Sequence, residues 1–285
     1  MKPAIIQSIY DLQHEYTEFV EKIKTSGGFD LAKWLPKFRD SVRPMFPGEL
    51  IVVMADTGVG KTAIIQNICK AARGYGDVLL FELELPGTLC FERFAALSAD
   101  MSQGDVFQRY SDANKVNVGS VDHIYTCDKA GMTLDEMTNL IVEANAEGQQ
   151  FDVIMVDYIG LMKASQGMSR YERMSEMAEQ MKVFARDMNA VVVVSTQIHR
   201  KGEDYVDNVG LHDAKDSGSI ENSADLLIGA WRDLDEPQKL YLKILKNRKG
   251  KGGDTIEARF DGGRMRITPW YMVPEAMGDA WEPGD

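Results

Sequence analysis

The sequence predicts an α/β protein built on a largely parallel sheet with helices on both faces. Two observations carry this. The first is a strand–turn–helix unit. The apolar run Leu50-Ile51-Val52-Val53 leads into Met54-Ala55-Asp56-Thr57-Gly58-Val59-Gly60-Lys61-Thr62, and Ala63-Ile64-Ile65-Gln66-Asn67-Ile68 follows with a helical pattern. The second is the alternation of short apolar runs with amphipathic stretches from Phe29 to about Trp270, as parallel pairing through crossover helices requires. Strands are expected near residues 50–54, 78–83, 123–127, 152–156, 190–195, 225–230 and 240–246, and a late hairpin around Asp261-Gly262-Gly263.

The chain is long enough, at 285 residues, for one large α/β domain or two small ones, and 44% hydrophobic content supplies a normal core. No apolar run approaches a membrane span, and residues 1–25 are too polar for a signal peptide. Cys69, Cys90 and Cys127 are scattered without a C-x-x-C pair, which fits a reducing cytoplasm and offers no zinc site. The net charge of −12 argues against a broad basic face for coating duplex DNA. Any nucleic-acid contact must be local, through a few loops.

Three segments follow from the pattern. Residues 1–28 form an N-terminal helix, in which Ile5, Ile9, Leu12, Tyr16, Phe19 and Ile23 recur at helical spacing and Gly27-Gly28 ends the helix. Its apolar stripe packs either on its own domain or on a neighbouring subunit. Residues 29–270 form the α/β domain. Residues 271–285, with Trp281 and four acids, read as a flexible acidic tail.

The turn at 55–62 is suited to a polyphosphate. Gly58 and Gly60 let backbone N–H groups turn inward, so that residues Thr57, Gly58, Val59, Gly60, Lys61, Thr62 and Ala63 line the anion, and the following helix adds its N-terminal dipole. Lys61 is placed to neutralise the β and γ oxygens, and the Thr62 hydroxyl to ligate Mg²⁺. Ala55 fills the first glycine position of the usual G-x-x-x-x-G-K-[ST] pattern. A second strand, residues 151–156, ends in Asp157, the expected metal-side carboxylate. Tyr158 follows it, so a water-activating acid must come from elsewhere. Glu84 lies before Pro86 at the carboxyl end of a strand, where open α/β sheets bind ligands. It is the expected general base. Glu82, two residues earlier and expected on the same strand face, is the alternative. Gln197, ending the run Val191–Thr196, is placed to sense a γ-phosphate.

Five blocks make the chain resemble the C-terminal motor domain of DnaB-type replicative helicases, the RecA-like ring helicases of bacteria and phages. They are residues 81–86, Val156-Asp157-Tyr158-Ile159-Gly160-Leu161-Met162, Ser195-Thr196-Gln197, Asp216-Ser217-Gly218-Ser219-Ile220-Glu221-Asn222-Ser223-Ala224-Asp225, and Lys246-Asn247-Arg248. The resemblance covers residues 29–270 and implies a RecA-like P-loop ATPase that uses ATP and Mg²⁺. It assigns Glu84 as the catalytic glutamate, Asp157 as the Mg²⁺ aspartate and Gln197 as the sensor. Arg248 becomes the finger reaching a neighbouring subunit's γ-phosphate, with Lys246 beside it. It implies single-stranded DNA held by two channel loops. One carries Lys163 and Arg170. The other carries Arg200, Lys201 and Lys215, with Lys215, Asp216 and Gly218 holding phosphates partly by backbone amides. Glu203, Asp204, Asp207 and Asp213 oppose DNA in that second loop. The N-terminal helix resembles the family's linker helix, which packs on the next subunit; the resemblance does not extend to the collar domain that DnaB proteins carry ahead of it. The implied protein is a homo-oligomeric ring, a hexamer, acting in the cytoplasm as a 5′-to-3′ helicase of a phage or plasmid. Its implied partners are a loader, a primase or a single-strand-binding protein. Two alternatives stand beside it: a RecA-like recombinase ATPase, and an ATP-binding regulatory ring without unwinding. The recombinase does not account for the Ser-Gly-Ser-Ile block or the Lys-Asn-Arg spacing.

Overall fold

The computed structural model describes residues 8–163, 170–198 and 218–271. Its centre is a nine-stranded sheet: β1 (Leu50–Ala55), β2 (Val78–Glu82), β3 (Ile124–Cys127), β4 (Val153–Asp157), β5 (Val191–Gln197), β6 (Leu226–Arg232), β7 (Lys239–Asn247), β8 (Thr255–Asp261) and β9 (Arg266–Pro269). The order is β3-β2-β4-β5-β1-β6-β7-β8-β9. The first six strands pair in parallel, and β7, β8 and β9 continue antiparallel. Every strand and the late hairpin expected from sequence are present.

Composition explains this division. β1, β4 and the first six residues of β5 are buried throughout, and they are near-continuous Val, Ile, Leu and Met runs because both faces are covered. β7 instead alternates buried Leu240, Leu242 and Ile244 with half-buried Lys239, Tyr241 and Lys243. The helices are α1 (Asp11–Ser26), α2 (Lys61–Ala71), α3 (Gly87–Ala99), α4 (Gln103–Ser111), α5 (Leu134–Ala146), α6 (Arg170–Met188) and α7 (Gly218–Ser223). α2 covers one face of the sheet, packing with Ile51, Val53, Val153, Met155, Val191 and Val193. Met177, Met181 and Phe184 of α6 cover the other face, over Leu50, Val52, Ile154 and Val192. Strand alternation therefore sets Glu82, Asp157 and Ser195 on the α2 face, in step with Leu80, Met155 and Val193.

Contrary to the alternation expected from sequence, Glu82 and Glu84 do not share a strand face, because β2 ends at Glu82. Its carboxylate Oε1 accepts the backbone N–H groups of Glu84 and Leu85, each at 3.2 Å. That bends the chain out of the sheet before Pro86 caps α3. Glu82 is consequently buried, while Glu84 is exposed.

α1 ends as its glycines require, with Gly27 at φ 71° donating to the carbonyl of Ile23. The helix begins only at Asp11, so Ile9 lies in the turn ahead of it. Ile9 and the helix residues Leu12, Tyr16 and Phe19 are exposed, and an edge-to-face contact of Phe19 with Phe46 at 5.4 Å ties the helix to the domain.

Candidate functional site

The phosphate loop joins the carboxyl end of β1 to α2. Gly58 and Gly60 hold φ of 79° and 111°, values that a side chain would strain, and Gly60 caps α2. A Cβ on Gly60 would stand 3.2 Å from the Phe260 ring. Ala55 is still within the strand, paired with Gln197 and Ala230, and its φ is not positive, so glycine is not needed there.

Lys61 donates to the carbonyl of Asp56 at 3.1 Å. Burial pushes its ammonium below the usual lysine range, against the pull of Asp157, Glu84 and Asp56. The tip of Glu84 is thus within electrostatic reach of Lys61. Gln197 donates to the Thr57 hydroxyl, tying the end of β5 to the loop.

Asp157 is 1% exposed. Burial raises its carboxyl, opposed by hydrogen bonds from Ser195 and Thr62 and by Lys61. Its Oδ2 has no partner, nor has Oε2 of Glu82. Glu82 lies directly opposite Asp157 in the β2–β4 register. Its carboxyl is pushed up to about 7 by burial first, then by Asp157. These orphaned oxygens, opposite each other on adjacent strands, fit a divalent cation that takes one or two protein carboxylates and completes its sphere with phosphate and water. Among the described residues no set of three His, Cys, Asp or Glu could hold a metal by protein atoms alone.

The opposite end of the sheet carries the other basic motif. β7 runs against β6, so Asn247 pairs with Leu226, and Leu226 adjoins Ile51 at the start of β1. Arg248 bonds Asp225 Oδ1 at 3.2 Å and the Asn222 carbonyl at 3.1 Å. Lys246 donates to the carbonyls of Glu221 and Asn222, at the C-terminus of α7. Asp225 anchors this corner, accepting from Leu50 N at 2.8 Å and Lys182 at 2.6 Å. β1 is six residues long, about 20 Å at its rise per residue. Arg248 is separated from its own phosphate loop by roughly that length.

Of the expected DNA residues, Lys163 is exposed, its stem lies against Gly131, and it lines a pocket of about 500 Å³ between α5 and α6. Arg170 opens α6 and Gly218 opens α7. Arg200, Lys201, Lys215 and Asp216 lie outside the described residues, as does the tail beyond Tyr271.

Two neighbours of the loop carry no signal in the sequence. Arg232, ending β6, donates to the carbonyls of Gly58 at 2.8 Å and Val59 at 3.2 Å and lies 4.8 Å over the Phe260 ring. Arg93 of α3 acts electrostatically on both Glu82 and Asp157. Neither stands in a motif. The strand order that makes β6 the neighbour of β1 is what brings Arg232 to the loop.

A family model described as "DnaB-like helicase C terminal domain" matches residues 35–268. The chain is 30% identical over 200 residues to the "Replicative DNA helicase DnaB" of Pasteurella multocida (strain Pm70), covering 66% of this chain and 43% of that protein. It is 27% identical over 234 residues to the protein of the same name from Mycoplasma genitalium, covering 73% and 49%. The chain thus spans about half the length of the curated relatives it matches. A DnaB-like replicative helicase, solved in a study of its interactions with primase, superposes with a TM-score of 0.73 at 19% identity, covering 94% of this chain and 68% of that one. The RadB recombinase superposes at 0.53 with 15% identity, covering 86% and 98%. At these identities the structural likeness speaks for the fold alone, which is RecA-like.

Proposed function

The chain belongs to the DnaB-like helicase C-terminal domain family, and from that premise we propose that it is the motor of an ATP-driven, Mg²⁺-dependent replicative helicase. It moves 5′-to-3′ on single-stranded DNA in the cytoplasm, as a homo-oligomeric ring, a hexamer. A loader, a primase and a single-strand-binding protein are its expected partners. One observation carries the ring: Arg248 stands at the far end of the sheet from its own phosphate loop. A finger so placed serves a nucleotide only across an interface with another copy.

In this reading residues 57–63 cradle the phosphates and Lys61 neutralises the β and γ oxygens. Mg²⁺, when bound, offsets charge on those oxygens; Thr62 and Asp157 hold it. Glu84, exposed beyond β2, takes the proton of the attacking water. Gln197, bonded to Thr57, senses the γ-phosphate from the end of β5. Arg248 of the neighbouring copy, with Lys246 beside it, supplies charge to the transition state. Lys163, Arg170, Arg200, Lys201, Lys215, Asp216 and Gly218 track the DNA backbone, a few contacts per subunit. A forked duplex tests the whole reading, with ATPase followed with and without single-stranded DNA. DNA-stimulated hydrolysis with unwinding is expected. Stimulation with filament formation and no unwinding would favour a recombinase, and nucleotide binding without stimulation a regulatory ring.

The α1 stripe needs a partner, and a second exposed apolar patch is available. Leu89 and Phe91 of α3 and Phe107 and Tyr110 of α4 are exposed together, with Phe91 and Tyr110 in edge contact at 5.7 Å. Patches of this kind mark interaction surfaces, and burial gains about 25 cal/mol per Å². Deleting residues 1–25 and, separately, Phe107→Glu should each shift the oligomer to smaller species by light scattering while the melting transition persists. An unchanged oligomer in both would mean that α1 folds back on its own domain.

Lys215 should matter for DNA and little for nucleotide. Removing one phosphate contact flattens the salt dependence of binding by about 0.7 per engaged subunit on single strands. Lys215→Ala should weaken binding in fluorescence anisotropy and abolish DNA stimulation while basal ATPase survives. Parent-like affinity with a parent-like salt slope would remove this loop from the DNA site.

A further inference from the structure

Three buried polar side chains beneath the phosphate loop have atoms without partners. They are Oε2 of Glu82, Oδ2 of Asp157, and both the amide nitrogen and oxygen of Gln66. Glu82 and Gln66 are 0% exposed. Burying such groups unpaired is costly, and native proteins answer the cost with water or an ion.

Their placement is common. Glu82 and Asp157 face each other on adjacent strands, on the side covered by α2. On α2, Thr62, Gln66 and Cys69 fall at i, i+4 and i+7, along one face of the helix. The two ends of that row lie over β4: Thr62 acts on the Asp157 carboxyl, and Cys69 Sγ lies 3.1 Å from Met155 Sδ. Gln66 is therefore bracketed over β4, between Asp157 and Met155. Glu82 spends its other oxygen on the amides of Glu84 and Leu85, so one side chain spans from this cluster to the backbone of the expected base.

We infer that Glu82 and Gln66, together with Asp157, hold the water shell of a divalent cation under the phosphate loop. This rests on the proposed nucleotide site. It adds to it a carboxylate oxygen of Glu82 and the amide oxygen of Gln66, which accept hydrogen bonds from the cation's waters, while Thr62 and Asp157 meet the metal itself. A hydrated cation with few protein ligands suits such a site, since Mg²⁺ keeps several of its waters. The site also fixes the start of the Glu84 segment relative to the metal, making Glu82 and Gln66 positioning residues.

The test uses the full chain with ADP and Mn²⁺, free Mn²⁺ being read by electron paramagnetic resonance. Outer partners of a metal contribute about 10- to 100-fold to its affinity. Glu82→Gln and Gln66→Leu should each weaken ADP-dependent Mn²⁺ binding by about tenfold. ADP binding in excess chelator should be unchanged, and the metal-free protein should melt no lower than the parent. Gln66→Leu keeps the volume and removes the polar group, so it carries the test if Glu82→Gln folds poorly. Parent-like Mn²⁺ affinity in the folded variants overturns the inference, as does a lowered melting point with unchanged affinity, which marks a purely structural role. Asp157→Asn separates the two levels. If it loses the metal and the other two do not, this inference alone fails. If the parent has no ADP-dependent Mn²⁺ site, the nucleotide-site reading fails with it.

Discussion

Arg248→Ala protein should hydrolyse ATP about 10³-fold or more slowly, and mixing it with Lys61→Ala protein should bring activity back. Fingers of this type contribute 10³ to 10⁵ in rate by stabilising transition-state charge. On the proposed shared site, each pure variant lacks one half of every site. In a mixed ring, some sites pair an intact phosphate loop from an Arg248→Ala subunit with an intact finger from a Lys61→Ala subunit. ATPase measured across mixing ratios should pass through a maximum above both parents. If subunit exchange is demonstrated and no mixture exceeds either variant, the site is not shared. The expectation follows from the sheet. Arg248 is bonded to Asp225, whose carboxylate also receives Leu50 N at the amino end of the central strand. Lys61 begins the helix that follows that strand's carboxyl end.

Glu84→Gln should lower kcat by about 10² to 10⁴, the usual contribution of a general base, and leave nucleotide and Mn²⁺ affinity near the parent's. The amide keeps shape and hydrogen bonding but cannot accept the proton. Glu84 is exposed and free of the sheet, close enough to Lys61 to hold up its charge. Glu82→Gln should differ in kind, because it acts on metal affinity. Single-turnover hydrolysis beside a binding titration distinguishes them. A Glu84→Gln protein with parent-like kcat would move the base elsewhere, and Glu82 would then be the first residue to re-examine.

The contrast between these two glutamates shows where sequence reasoning stops. Both stand in an apolar run before a proline, and period-two alternation assigns them one face. The structure separates them through a hydrogen bond that no pattern announces: the Glu82 carboxylate turns back to the amides of Glu84 and Leu85 and ends the strand. Arg232 is a second case. It ends an ordinary apolar strand and reaches the phosphate loop because β6 is inserted beside β1.

By itself the sequence determined the local chemistry. Gly58 and Gly60 before Lys61-Thr62, apolar runs ending in Asp157 and Gln197, and the stripe of α1 are set by backbone torsions, side-chain period and charge, all of which act over a few residues. Tertiary structure alone decided which of these meet. Pairing of β2 with β4 put Glu82 against Asp157, and the antiparallel return of β7 carried Arg248 to the end of the sheet remote from Lys61. Strand partners lie tens to hundreds of residues apart, and their choice is made by the fit of whole layers around the core, which no local window of sequence contains.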